Sequence, residues 1–150
     1  MPLRPIFHRL SAVALLSAGL ATAASANDPE DHTMTQIRVI VGGESLPATL
    51  DDTAAGRDFA AMLPLELTLS DYHGIEKVAD LPRALDTSGA PISYKPRTGD
   101  ITLYAPWGNL AIFLKPFQSS RGLVRLGEFD GAIDPLTRNG DLSVRIERAE

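Results

Sequence analysis

Hydrophobic and polar residues alternate in several short segments of the chain, which is the pattern of a β-strand with one buried face. The apolar residues of three such segments lie at positions 37, 39 and 41, at 65, 67 and 69, and at 142, 144 and 146. Gly42 and Gly43 separate the first segment from another extended one, and a Gly-Gly pair in that position predicts a β-hairpin. These segments favour a mainly β fold.

One segment, DDTAAGRDFAAMLP (residues 51–64), has a helical period instead. Its apolar face carries Ala55, Phe59, Met62 and Leu63 at spacings of three and four. Asp52 or Thr53 can cap the N terminus, and Pro64 ends the helix. The narrow apolar stripe fits a helix that lies across one opening or side of a barrel.

Residues 99–117, GDITLYAPWGNLAIFLKPF, contain four of the nine aromatic residues of the chain. Residues 100–104 and 109–117 predict two strands of a hairpin, with Pro106, Trp107 and Gly108 at its tip. Residues 73–99 are rich in glycine, proline and charge, and predict turns and a long irregular connection.

These segments amount to seven or eight short strands and one helix, without a β-α-β rhythm. We therefore predict a small closed antiparallel barrel rather than an open sandwich, because closure removes exposed strand edges. The predicted domain covers residues 35–150.

The N terminus has the three parts of a secretory signal peptide. Arg4 and Arg9 form a basic region, residues 10–23 are apolar, and Ala24-Ser25-Ala26 is a cleavage site of the A-x-A type. We expect residues 1–26 to be removed, residues 27–34 to form a disordered acidic tether, and the protein to be periplasmic or secreted.

The charge of the chain limits the partners that we expect, and its cysteine content excludes disulfides. Removal of two arginines with the signal peptide leaves 12 basic against 19 acidic residues, and no cysteine occurs. An acidic surface repels nucleic acid and anionic membranes, so we expect neither as a partner. The core must hold the domain together without disulfides.

Several ordered sequence blocks resemble the bacterial cyclophilin-like domain family. They are AAMLPLELTLSDYHGIEK, the Leu81-Pro82 pair, GDITLY, LAIFLKPF and GLVRLG, and the resemblance extends from about residue 37 to residue 146. It implies an eight-stranded cyclophilin-type barrel with one or two helices. Most members of this family have no assigned biochemical role.

The motifs of prolyl isomerisation are absent from these blocks. True cyclophilins place an arginine beside a Gln-Gly-Gly-Asp motif and build the proline pocket partly from an Asn-Gly-Ser-Gln-Phe-Phe motif, and the chain contains neither. Arg121 and Arg125 lie outside any matching motif. A divergent isomerase that uses one of these two arginines remains the enzymatic alternative.

The chain has few candidate residues for a hydrolase, metal or cofactor site. His32 and His73 are separate, without cysteine or a G-x-S-x-G motif, so we expect no hydrolase site, no metal site and no cofactor. Glu76 and Lys77 follow a predicted turn, and we expect both to be solvent-exposed.

The hairpin of residues 99–117 is the remaining candidate site. Trp107 at its tip predicts an anchor for a partner, whereas the alternative is a ring folded back onto the barrel rim. The candidate binding residues are Tyr104, Trp107, Phe113, Phe117 and Arg125, with Phe113 expected in the core. We predict a non-enzymatic binding module that recognises a peptide, a protein loop or a small apolar ligand at the barrel rim. A purely complex-forming subunit is the third interpretation.

Overall fold

Eight strands close into an antiparallel barrel in the computed structural model, which describes residues 33–150. In chain order the elements are β1 (Thr35–Val41), β2 (Glu44–Leu50), α1 (Ala54–Ala61), β3 (Leu65–Tyr72), β4 (Glu76–Asp80), β5 (Ser93–Tyr94), β6 (Asp100–Tyr104), β7 (Asn109–Phe113), β8 (Ser120–Arg121), β9 (Leu123–Phe129), a 3-10 helix (Asp134–Thr137) and β10 (Leu142–Arg148). The order around the barrel is β1, β10, β3, β4, β7, β6, β9, β2, and β2 pairs with β1 to close it. The predicted fold class is confirmed.

The alternating strands fill the barrel interior with apolar side chains. Val39, Leu50 and Leu69 are fully buried, each on a strand whose neighbouring residues face outward. Phe59 of α1 is also fully buried and joins the same core. The helix packs against β2 and β9, so it covers one part of the barrel as its narrow stripe predicted.

The helix is shorter than residues 51–64. Thr53 is the N-cap, and its Oγ1 accepts a hydrogen bond of 3.1 Å from the Gly56 amide. Met62 and Leu63 lie beyond the last turn but still pack against the core. Asp51 stays outside the helix, where its carboxylate pairs with Arg125.

Two strand predictions need correction. The second strand of the aromatic hairpin ends at Phe113 rather than at residue 117, because its partner there is Glu76, the first residue of β4. Within residues 73–99, which were predicted to be irregular, Glu76–Asp80 forms β4 between β3 and β7. The rest of that segment includes β5, which pairs with β8 in a separate two-stranded sheet.

The predicted signal peptide and residues 27–32 of the predicted tether lie outside the described residues. Thr33 and Met34 precede β1 and have no regular secondary structure. Within residues 33–150, no helix is both long enough and apolar enough to cross a membrane.

Candidate binding groove on the outer wall of the barrel

A cavity of about 890 Å³ lies on the outer wall of the barrel, over β3, β4 and β7. Leu110 and Ile112 of β7 point into the barrel core, whereas Ala111 and Phe113 point outward and line this cavity. The segment 117–121 forms its other side. We call this cavity the groove.

Strand register places the side chains of the groove in cross-strand rows. Tyr72, Glu76 and Phe113 are neighbours on β3, β4 and β7 at one end. At the other end Asp80, Asn109 and Tyr104 are neighbours on β4, β7 and β6. Because Glu76 and Asp80 are four residues apart on one strand, the two ends are separated by about 13 Å.

Trp107 extends from the hairpin tip across the groove. Its ring lies edge-to-face against Tyr104, with centroids 5.3 Å apart, and against Tyr72 of β3 at 6.1 Å. The barrel order puts β7 and β4 between these two tyrosines, so the indole passes over both strands. Trp107 remains 64% exposed, and Gly108 supplies the positive φ of 68° at which the tip turns.

Three side chains on the groove wall have oxygen acceptors without a donor among the described residues. Asn109 is only 7% exposed, and its side-chain Oδ1 has no hydrogen-bond partner. Its Nδ2 donates to the Leu110 carbonyl at 3.2 Å, which fixes the orientation of the amide. The carboxylates of Asp80 and Glu76 line the same cavity without an ion pair to any residue in 33–150.

Glu76 is half-buried at its end of the groove. Burial raises the pKa of its carboxyl above the ordinary value, and the charge of the adjacent His73 acts in the opposite direction. His73 has a positive φ of 52° in the β3–β4 turn, and its ring contacts Tyr72 edge-to-face at 4.3 Å.

The prediction that Glu76 and Lys77 are both solvent-exposed was wrong, because Glu76 is half-buried and Lys77 is fully buried. Both lie on β4, where alternation turns Glu76 toward the groove and Lys77 into the barrel. Lys77 is 0% exposed, and its Nζ donates to the carbonyls of Arg138 at 2.6 Å and Gly140 at 2.8 Å. It also forms an ion pair of 2.6 Å with Asp71, which lowers the pKa of that carboxyl.

Four of the five predicted site residues line the groove, which lies on the outer wall of the barrel and not at the predicted rim. They are Tyr104, Trp107, Phe113 and Phe117. Phe113 is buried, as expected, and its outward ring forms a small apolar cluster with Ala111 and Leu123 while still lining the cavity wall. Sequence reasoning did not include Tyr72, Asp80 or Asn109 among the site residues.

Arg125 does not share the groove. It lines a second cavity, of about 390 Å³, between the start of α1 and the segment around residue 90. Its Nε and Nη2 donate to the two oxygens of Asp51 at 2.7 and 3.3 Å, and its Nη1 donates to Asp100 at 3.0 Å. Hydrogen bonding to Asp51 raises the pKa of the Arg125 guanidinium. Through Asp51 and Asp100 this side chain links β9 to β6 and to the start of α1.

Asp100 supports the same network from a buried position. It is 1% exposed, and its Oδ2 accepts hydrogen bonds from the Tyr94 hydroxyl at 2.6 Å and the Arg97 amide at 2.8 Å. Arg121, the other arginine considered, is exposed and lines the groove. Among residues 33–150, no group of His, Cys, Asp and Glu side chains is arranged to hold a metal ion.

Comparison with known proteins identifies the family. The chain resembles a hypothetical protein from Archaeoglobus fulgidus whose solution structure is known; the TM-score is 0.61 at 17% identity, over 81% of this chain and 99% of the archaeal one. No curated protein sequence matches the chain significantly. The sequence profile of the Cyclophilin-like family matches residues 39–147, which is most of the chain and nearly all of the barrel. The chain therefore belongs to the cyclophilin-like family.

Proposed function

We propose that the protein is an exported binding module that holds a peptide segment in the groove. The observation that carries this proposal is the combination, in one cavity, of exposed aromatic rings and oxygen acceptors without donors. A peptide supplies both apolar side chains for the rings and N–H groups for the acceptors. A purely apolar ligand would leave the buried Asn109 oxygen unpaired.

The dimensions of the groove support an extended segment. The rows at its two ends are about 13 Å apart, the length of roughly four residues of extended chain. Trp107, with its large surface and its position over β4 and β7, is the anchor on which we expect affinity to depend.

Selection from a randomised twelve-residue peptide library displayed on phage tests this function. We expect enriched peptides to bind the purified protein and to bind Trp107→Ala about tenfold more weakly. Ile92→Ala is the matched control, because Ile92 is 70% exposed but does not line the groove. Circular dichroism checks that both variants are folded. A library without enriched peptides, or equal binding by both variants, would contradict a peptide site at Trp107.

The isomerase alternative now depends on Arg121, because Arg125 is held by Asp51 and Asp100 outside the groove. Arg121 is the exposed arginine beside the rings. A protease-coupled assay on a proline peptide decides between binding alone and catalysis: a rate equal to the uncatalysed one supports the binding module, whereas a faster rate that Arg121→Ala abolishes supports the enzyme.

A further inference from the structure

The end of the groove at Asp80 and Asn109 has the chemistry of a site for a cation. The two residues are direct cross-strand partners on β4 and β7, and the next strand places Tyr104 beside Asn109. Side chains of such partners have Cβ atoms about 5 Å apart, so one ligand group can contact both.

The amide of Asn109 is the first reason to expect a ligand here. A buried acceptor without a donor destabilises the fold, and Asn109 Oδ1 is such an acceptor in a residue that is only 7% exposed. A ligand group that pairs with this oxygen must have an N–H or O–H bond, so a quaternary ammonium is excluded. Asn109 thus lines the cavity, and its Oδ1 is a buried acceptor without a hydrogen-bond partner among the described residues.

The charge of this end is the second reason, and it is independent of the first. The Asp80 carboxylate has no ion-pair partner within residues 33–150 and stands opposite Asn109. Tyr104 and Trp107, which contact each other edge-to-face, also line the cavity, and aromatic rings attract cations. An N–H donor that is also positively charged satisfies the amide, the carboxylate and the rings together.

The carboxylates along the whole groove give it a negative charge. Glu76 at its other end is a second carboxylate without an ion pair among the described residues, whereas Arg121 is the single lysine or arginine that lines the cavity within that part of the chain. The protein carries a net charge of −5, so its field also attracts a basic ligand.

We infer that the peptide bound in the groove is basic, with the ammonium or guanidinium group of a lysine or arginine side chain held between Asp80, Asn109 and Tyr104. This inference rests on the proposed peptide-binding function and specifies its ligand. Its recognition is electrostatic in part, so binding weakens as salt is added.

The same library selection tests the peptide-binding function and the site for a basic side chain separately. We expect the enriched peptides to contain lysine or arginine at one fixed position, and replacement of that residue by norleucine to weaken binding about tenfold. Asp80→Asn should remove this preference for the basic residue while the norleucine peptide binds as before. Asp141→Asn, an exposed carboxylate outside the groove, should leave the preference unchanged.

The outcomes are distinguishable. Enriched peptides without a basic residue, or with a preference that survives both Asp80→Asn and Asn109→Ala, overturn the cation site and leave the peptide-binding function in place. Absence of any enriched peptide contradicts the peptide-binding function itself.

Discussion

Glu76 lines the groove, and the partial burial of its carboxyl lowers the stability of the fold when that carboxyl is ionised. Its carboxyl is half-buried beside Tyr72 and Phe113, and burial raises its pKa. A carboxyl with a higher pKa in the folded chain than in the unfolded chain stabilises the fold at low pH. That contribution is lost as the pH rises through the two values, because the folded state then holds a poorly solvated charge.

We therefore expect Glu76→Gln to raise the free energy of unfolding at pH 7. The gain should be under about 1 kcal/mol, since solvent screens a half-buried group, and it should vanish near pH 3, where the carboxyl is protonated in both states. Urea denaturation at the two pH values measures it. Glu44→Gln, at an exposed carboxylate, is the control. A variant that is less stable than the parent at pH 7 would show that the ionised Glu76 stabilises the fold.

Four aromatic residues of the groove could be predicted from sequence, but Tyr72 and the oxygen acceptors could not. A cluster of four rings around a Pro-Trp-Gly tip is visible in the chain, and all four line the groove. Asp80 and Asn109 are ordinary polar residues 29 positions apart in the sequence. Only the β4–β7 register places them side by side.

Lys77 connects elements that are distant in the sequence. Its strand, β4, pairs with β3, and its ammonium holds two carbonyl oxygens of the segment before β10. Asp71 of β3 binds the same segment, since its Oδ2 accepts from the Gly140 amide at 2.6 Å. Lys77 therefore fixes the chain at one end of the barrel.

Replacement of this lysine should destabilise the barrel. Lys77→Met keeps the buried alkyl volume but leaves the carbonyls of Arg138 and Gly140 without their donor, so we expect the free energy of unfolding to fall by about 1–3 kcal/mol. Lys95→Met, at an exposed lysine, is the matched control and should change it by less than about 0.5 kcal/mol. Urea denaturation measures both. Equal stability of the two variants would mean that relief from burying the charge offsets the lost hydrogen bonds.

The elements differ in how far local sequence determines them. β3 was predictable because Leu65, Leu67 and Leu69 alternate with polar residues. β4 could not be predicted in this way, because a lysine occupies one of its inward positions, and a lysine in the sequence indicates a solvent-facing position. The carbonyls that make this burial tolerable come from a segment about 60 residues later, which no local pattern indicates.

At the scale of the whole molecule, the first 26 residues carry the prediction of an exported protein. We expect the protein, when expressed in a Gram-negative host, to be cleaved after Ala26 so that the mature chain begins at Asn27. Intact-mass spectrometry of the periplasmic fraction checks this. Ala26→Arg should block cleavage, whereas Ser25→Thr, at the variable position of the A-x-A site, should not. A full-length mass for the parent protein would contradict the prediction.

The pairing of the first strand with the last has a consequence for how the chain can be rearranged. The Ala149 amide donates to the Gln36 carbonyl at 3.0 Å, so the two ends of the barrel domain lie side by side. Around the ring, β1 is three and four strands away from β4 and β7, which form the wall of the groove. A short linker that joins these ends would permit a circular permutant opened at Gly42–Gly43. Its new termini would interrupt no strand and would lie on the β1–β2 side of the ring, opposite β4 and β7.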